Sequence, residues 1–327
     1  MTMKELAKLA GVSPASVSRY LNGGSLSEEK RDVIRRAIEK TGYQPDLAAQ
    51  MLRTRTTDLV GLIVPKLDSE SVSRLAAGAT AVLSREGYLC QFGVSTNDPE
   101  KELSYLQLFQ NRSLAGIILM GTVMTPELSA FLKTAFIPLV VAGQRFEGVS
   151  CVYHDDFGAA RELARLVIAR GRRKLGFIGA TEQDAAAGLA RRRGVQAAMT
   201  EAGLAPERLE IELSGFDVEG GAAAARRLLD RAPDLDAVLC ATDRMAFGAM
   251  QVLEERGRRI GEDVSLTGIG DSTAGQLVRP HLTTARFYYR TCGESAARML
   301  LELMRANEPV PVHQTMLSYT IQQRESV

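Results

Sequence analysis

Leu6-Ala7-Lys8-Leu9-Ala10-Gly11-Val12-Ser13-Pro14-Ala15-Ser16-Val17-Ser18-Arg19-Tyr20-Leu21-Asn22 decides how the head of this chain folds. Leu6, Ala7 and Ala10 recur with Met3 at helical spacing, and Gly11 stops that helix. Ser13 is placed to cap a second helix, and Pro14 takes its favoured first position. The spacing predicts a helix-turn-helix. Ala7 is small enough for two helices to cross closely, Gly11 permits the tight turn, and Val12 and Val17 pack beneath it. Pro14, Ala15, Ser16, Ser18 and Arg19 are then left to face outward. Short side chains at the start of a recognition helix let its backbone approach base edges, and Arg19 is long enough to reach guanine or phosphate. Ser13, Ser16 and Asn22 suit phosphate oxygens. A small helical cap with a solvated face is the alternative; it leaves the agreement of turn, core and outward residues unexplained.

Outward from this stretch, Ser25 or Ser27 opens a third helix with Val33, Ile34, Ala37 and Ile38 on one face. Thr41-Gly42-Tyr43-Gln44-Pro45 closes it. Residues 46–53 read as a fourth short helix whose weak polar contrast makes it marginal alone. Residues 1–57 hold ten Lys and Arg against six Asp and Glu, a net charge of +4, whereas the other 270 residues carry −3. A basic head on a slightly acidic body points to a polyanionic partner.

From residue 59 the pattern changes to short apolar runs alternating with helices. Strands are expected at 59–64, 89–94, 116–120, 139–142, 151–153, 174–179, 237–241, 265–269 and 283–286. Helices are expected at 71–85, 99–111, 156–170, 187–202, 217–231 and 244–256. Repeated strand–helix units mean parallel doubly wound α/β sheets. Two such runs predict two similar lobes, with ligands bound outside the carboxyl ends of the strands. The length of 327 residues suits two domains and a small module. With 45% hydrophobic residues, the chain can bury a large core. No apolar run reaches the ~18 residues of a membrane span. The N-terminus lacks the apolar segment of a secretion signal, so a cytoplasmic location is expected. Cys90, Cys151, Cys240 and Cys292 are far apart and form no metal or disulfide pattern, which suggests buried thiols in a reducing compartment.

Ala10 to Asn22, followed by Gly42-Tyr43-Gln44-Pro45, resembles the lactose-repressor (LacI) family of bacterial transcription regulators. The likeness continues through Gly61–Pro65, Arg173–Gly179, Ala241–Gly248 and His281–Thr284. The resemblance implies a homodimer with a small all-α helix-turn-helix head, a hinge helix and a two-lobed periplasmic-binding-protein-like core. The head would span 1–44, the hinge helix 45–57 and the core 58–327. The N-lobe would take about 58–157 and 288–317, and the C-lobe about 158–287 and 318–327. The family's minor-groove wedge falls on Leu52, and wedges of this kind bend the duplex. Asp46 stands where the family usually has asparagine. The implied partners are double-stranded, pseudo-palindromic operator DNA and a small sugar, with no membrane, cofactor or metal.

At the strand ends, Lys66, Asp68, Ser69, Gln144, Asp243 and Asp271 are candidates for binding sugar hydroxyls, which suit planar bidentate groups and an aromatic face. Arg191 matches the family's sugar-gripping arginine, and Tyr289 a ring-stacking position. Val64–Ser69, Gly148–Ala159 and Leu239–Asp243 are similar to the trehalose-operon repressor branch, which implies trehalose or its 6-phosphate. Lys66 keeps one basic phosphate position of that branch; Gln144 replaces the other, with Arg145 adjacent. Sucrose, or another disaccharide free or as its 6-phosphate, is equally compatible. His154-Asp155-Asp156 precedes a helix and reads as a cap rather than a metal site.

The expected function is therefore a repressor of a carbohydrate-utilisation operon, released from its operator by the effector. A sugar-responsive activator or a corepressor-dependent regulator is the alternative. An enzyme is disfavoured, because the chain carries no GxSxG elbow, Walker A loop or GxGxxG after a first strand. A transport binding protein is disfavoured by the basic head. The absence of a heptad tail before Val327 suggests a dimer rather than a tail-linked tetramer.

Overall fold

Thr2 starts the first helix. Its hydroxyl accepts the Glu5 N–H at 3.3 Å, while the Glu5 carboxylate accepts the Thr2 N–H at 2.7 Å, a reciprocal capping box for α1 (Met3–Leu9). The computed structural model describes residues 1–21, 24–43, 58–111, 114–121 and 123–327. Gly11 ends the first turn region at φ +67°. The Val12 N–H reaches the Ala7 carbonyl at 3.0 Å, and the Gly11 N–H reaches the Lys8 carbonyl at 3.3 Å. This pair of bonds is a Schellman turn, whose left-handed residue glycine adopts without steric cost. Helices α2 (Pro14–Leu21) and α3 (Glu28–Thr41) follow. Leu6, Ala7, Val17, Ile34 and Ala37 form the core of this unit, with Val12 and Tyr20 against them. The helix expected over 46–53 lies outside the described residues.

The second unit, Asp58–Val327, contains two six-stranded sheets. The first comprises β1 (Leu59–Val64), β2 (Leu89–Val94), β3 (Gly116–Leu119), β4 (Leu139–Ala142), β5 (Cys151–His154) and β11 (Gln314–Leu317). Its order is β11-β5-β4-β3-β1-β2, and every pairing is parallel. The second comprises β6 (Leu175–Gly179), β7 (Glu210–Leu213), β8 (Ala237–Cys240), β9 (Ser265–Ile269), β10 (Thr283–Phe287) and β12 (Tyr319–Gln322). Its order is β12-β10-β9-β8-β6-β7, parallel except for β12 against β10. Both sheets thus repeat one doubly wound order, with the chain crossing between them after β5, β10 and β11.

Helices cover both sheets because parallel strands must be buried on both faces. In the first lobe these are α4 (Glu70–Arg85), α5 (Pro99–Asn111), α6 (Pro126–Thr134) and α11 (Tyr289–Arg305). In the second they are α7 (Asp156–Ala169), α8 (Arg191–Glu201), α9 (Val218–Arg231) and α10 (Asp243–Glu255). Helices α4 and α11 pack backbone to backbone. A Cβ on Gly78 would lie 2.1 Å from the Arg290 carbonyl oxygen, and one on Gly293 would lie 1.9 Å from that of Leu75. Any side chain at either position would force the pair apart.

Helices α6 and α11 and strands β7, β11 and β12 are additions to the sequence reading. The helix expected over 187–202 is two elements: a π-helical segment, Ala185–Ala190, then α8. Cys151, Cys240 and Cys292 are buried thiols, but Cys90 is only half-buried. No helix among the described residues is long and apolar enough to cross a membrane.

Candidate functional site

In the head, Ser13 caps α2: its hydroxyl accepts the Ser16 N–H at 3.2 Å. Pro14 opens the helix, and Ser13, Pro14, Ala15 and Arg19 are exposed. Ser18 is half-buried. Ser16 corrects the sequence reading. It is buried at 7% exposure with its hydroxyl 3.0 Å from that of Ser13, so capping geometry takes it off the outward face. Asn22 and Leu52 lie outside the described residues. The remaining outward set has one long cation, Arg19, on a helix of short side chains, a shape suited to a DNA groove.

In the second unit, the carboxyl ends of both sheets meet at a cleft of about 390 Å3, within the ~300–1,000 Å3 typical of small-molecule sites. Strand β1 delivers Lys66, Asp68 and Ser69, β4 delivers Gln144, and β5 delivers His154. From the other lobe, β8 delivers Asp243, and Arg191 stands at the head of α8. Tyr289 enters from the crossover after β10. The structure therefore brings seven of the eight sequence candidates to one cleft.

Asp271 is the exception. Its backbone is left-handed at φ +48°, and its carboxylate turns to Arg324, with Arg286 at 3.9 Å. Arg145 also turns away, donating from Nε to Gln314 Oε1 at 3.0 Å, because neighbouring residues beyond a strand point in different directions. Asp243 lines the cleft, but both carboxylate oxygens are occupied. Oδ2 accepts the Ser272 N–H at 2.7 Å, and Oδ1 accepts the Thr284 hydroxyl at 2.6 Å. It ties the ends of β8 and β9 to β10, and burial raises its pKa.

The cleft floor is a buried charged and aromatic cluster. Arg191 Nε donates to Asp156 Oδ1 at 2.8 Å, Nη2 lies 2.7 Å from the same oxygen, and Nη1 donates to the Ala241 carbonyl. Burial raises the pKa of Asp156 while the Arg191 charge opposes that rise. The guanidinium carbon of Arg191 stands 5.3 Å from the Phe287 ring centre, a cation–π distance. His154 stacks on Phe287 at 4.6 Å and meets Tyr289 edge-on at 5.2 Å. Asp155 caps α7 by accepting the Gly158 N–H at 2.8 Å.

Side chains bridge the lobes across the cleft. Lys66 Nζ donates to the Phe216 carbonyl at 3.2 Å, and Gln144 Nε2 donates to Asp184 Oδ1 at 3.0 Å. Arg244 Nη1 donates to Asp68 Oδ2 at 3.1 Å, and the Thr273 hydroxyl donates to Glu70 Oε1 at 2.8 Å. Glu70, His154, Asp184, Phe216 and Arg244 are site residues that the sequence reading did not select. Arg244 had a signal, since it adjoins Asp243 at the same strand end; Phe216 lies in the four-residue connection between β7 and α9 and had none.

Residues 2–46 match the family described as bacterial regulatory proteins, lacI family, and residues 164–327 match the periplasmic binding protein-like domain. The transcriptional regulator CelR of Thermobifida fusca is 33% identical, covering 95% of this chain and 94% of that protein. The chain belongs to the lacI family of bacterial regulatory proteins. This lacI-family protein is also similar to the sucrose operon repressor of Staphylococcus xylosus, 27% identical over 92% of this chain and 93% of that one. A solved CelR–cellobiose complex has a TM-score of 0.77 and 29% identity and covers 100% of both chains. As a member of this family the chain is a sugar-responsive DNA-binding transcriptional regulator, not an enzyme.

Proposed function

We propose that this regulator is a homodimeric repressor, released from a pseudo-palindromic operator when a disaccharide-class sugar fills the cleft. The observation that carries the reading is the convergence of both sheets' carboxyl ends on one cleft, in a chain whose head exposes Arg19 on a helix of small residues. The similar proteins fit that class: one is a sucrose operon repressor, and another was solved with cellobiose. Trehalose stays within the class through the stretches at 64–69, 148–159 and 239–243.

Arg19 is assigned to a base or phosphate, with Ser13, Pro14, Ala15 and Ser18 around it and Asn22 and Leu52 completing the DNA contacts. Exposed Leu89 and Phe92 on edge strand β2, with Leu108 on α5, support pairing with a second copy, since such edges are normally covered. The effector would act by changing the balance between lobe arrangements, and linkage of this kind is worth ~1–3 kcal/mol.

The test is selection of a preferred duplex from random sequence by the full chain, followed by titration of the complex with cellobiose, sucrose, trehalose and maltose. Release by one of them is the expected result. Tighter binding would make the sugar a corepressor, and the absence of any preferred duplex would remove the DNA assignment.

A further inference from the structure

The bridges across the cleft differ in depth. The Gln144–Asp184 bond is buried, whereas the side chains of Asp68 and Arg244 are 68% and 34% exposed, and those of Glu70 and Arg74 are 38% and 39% exposed. The exposed bridges therefore stand at the mouth. Both arise from one short stretch of the first lobe, residues 68–74, which follows β1 and enters α4. They land on the second lobe at two points, the start of α10 and the turn after β9.

Glu70 makes the contact at the turn. Its Oε1 accepts the Thr273 hydroxyl at 2.8 Å, and its Oε2 accepts the Thr273 N–H at 3.1 Å. Thr273 opens a short 3-10 helix, Thr273–Gln276, to which Ser272 gives no side-chain cap. A donor at a helix start needs a partner from outside the helix, and here the partner comes from the opposite lobe. Arg74 pairs with Glu70 at 2.5 Å and donates from Nη1 to the Asp271 carbonyl at 3.3 Å. Asp271 is left-handed at φ +48°, a conformation that persists where neighbours fix it; Arg324 holds its carboxylate while its carbonyl meets Arg74. At the start of α10, Arg244 Nη1 donates to both the carboxylate and the carbonyl of Asp68, each at 3.1 Å.

Each of these exposed bonds is weak alone. The lobes, however, are already joined by three crossovers, so every bridge closes intramolecularly, and parting the lobes at the mouth breaks all of them together. We propose that residues 68–74 form a clasp over the cleft mouth, that a molecule enters or leaves through its opening, and that Glu70 sets how often it opens. This goes beyond the reading of the cleft as the effector site and does not depend on which molecule passes.

Two measurements on the full chain decide it, and neither needs a sugar. Hydrogen exchange resolved to single residues reads the Thr273 amide, with the Ser272 amide, held within the second lobe by Asp243 at 2.7 Å, as reference. Glu70→Ala should speed exchange at Thr273 about 2- to 10-fold and leave Ser272 unchanged; equal exchange at Thr273 would overturn the contact. The second measurement reads the opening. Ala187 lines the cleft and is buried. Ala187→Cys, with Ala186→Cys as a second position, is labelled with uncharged N-ethylmaleimide in a Cys90→Ser background, since Cys90 alone of the four native thiols is not buried. Labelling should quicken about 2- to 10-fold with Glu70→Ala, less with Glu70→Gln, which keeps an acceptor for Thr273, and further when Asp68→Ala is added to Glu70→Ala. Unchanged labelling in all three variants would overturn the clasp. Faster labelling together with faster exchange at Ser272 would overturn it too, because general loosening would then admit the reagent. If no sugar binds the chain, the effector reading of the preceding section falls, while these two results still decide the clasp.

Discussion

Replacing Arg191 with methionine keeps most of its volume but removes the charge that faces Asp156. Both side chains are nearly inaccessible, at 8% and 7% exposure. Removing one member of such a pair leaves an unpaired buried charge and costs ~3–5 kcal/mol, a large share of the ~5–15 kcal/mol that typically holds a domain together. The loss should depend on pH in a definite direction. Burial raises the pKa of Asp156 and the Arg191 charge restrains it, so the variant's carboxyl will titrate higher still. A group whose folded pKa lies above its unfolded value contributes most below the unfolded pKa and loses that contribution as pH rises. Arg191→Met should therefore be furthest below wild type at pH 8 and recover towards pH 5. Adding Asp156→Asn, which removes the orphaned charge, should restore part of the loss at pH 8. The assay is urea unfolding followed by far-ultraviolet circular dichroism, since the chain has no tryptophan to report fluorescence. A loss below ~1 kcal/mol with no pH dependence would refute the buried-pair reasoning.

Three further outcomes follow from named residues. Arg19→Ala should cost ~1–3 kcal/mol at the selected operator and relax its sequence preference; unchanged preference in a binding titration would remove its role. Leu52→Ala should reduce operator bending, measured by energy transfer between duplex ends, while sugar affinity stays the same; equal bending by both proteins would refute the wedge. Glu102, 2% exposed, has its pKa pushed up to about 7 by burial. Its contribution to stability is full below about pH 4.5 and is lost as pH rises to about 7, some ~3 kcal/mol in all. Glu102→Gln should flatten that decline in a pH series of melting temperatures, and an identical pH profile for both proteins would contradict it.

Much of this architecture is readable from local chemistry. Gly11, Ser13 and Pro14 fix the head's turn because capping and left-handed backbone depend on neighbouring residues alone. The buried run of β1 and the strand–helix rhythm carry both sheets. What the sequence conceals is decided by distant partners. Ser16 is the local exception, since it looks outward by periodicity until its hydroxyl is found against that of Ser13 three residues before it. Asp271 sits beyond a strand end as Asp243 does, but a left-handed backbone and Arg324, 53 residues on, turn it away. Helix α11 carries a clear apolar face of Cys292, Ala296, Ala297, Leu300 and Leu301 that the sequence reading passed over; what only the fold shows is that Gly293 brings its backbone against α4. His154 reads as part of a capping sequence; only the fold places it between Phe287 and Tyr289 at the cleft floor.

The measurement that bears most directly on coupling between cleft and operator is fluorescence anisotropy of the selected duplex with the full chain, repeated at saturating cellobiose, sucrose, trehalose and maltose. The expected result is that one free sugar weakens operator binding about 5- to 150-fold, and that Arg191→Met blunts this response. Operator affinity unchanged by every sugar, although one of them stabilises the protein, would contradict the claim that the cleft governs DNA binding.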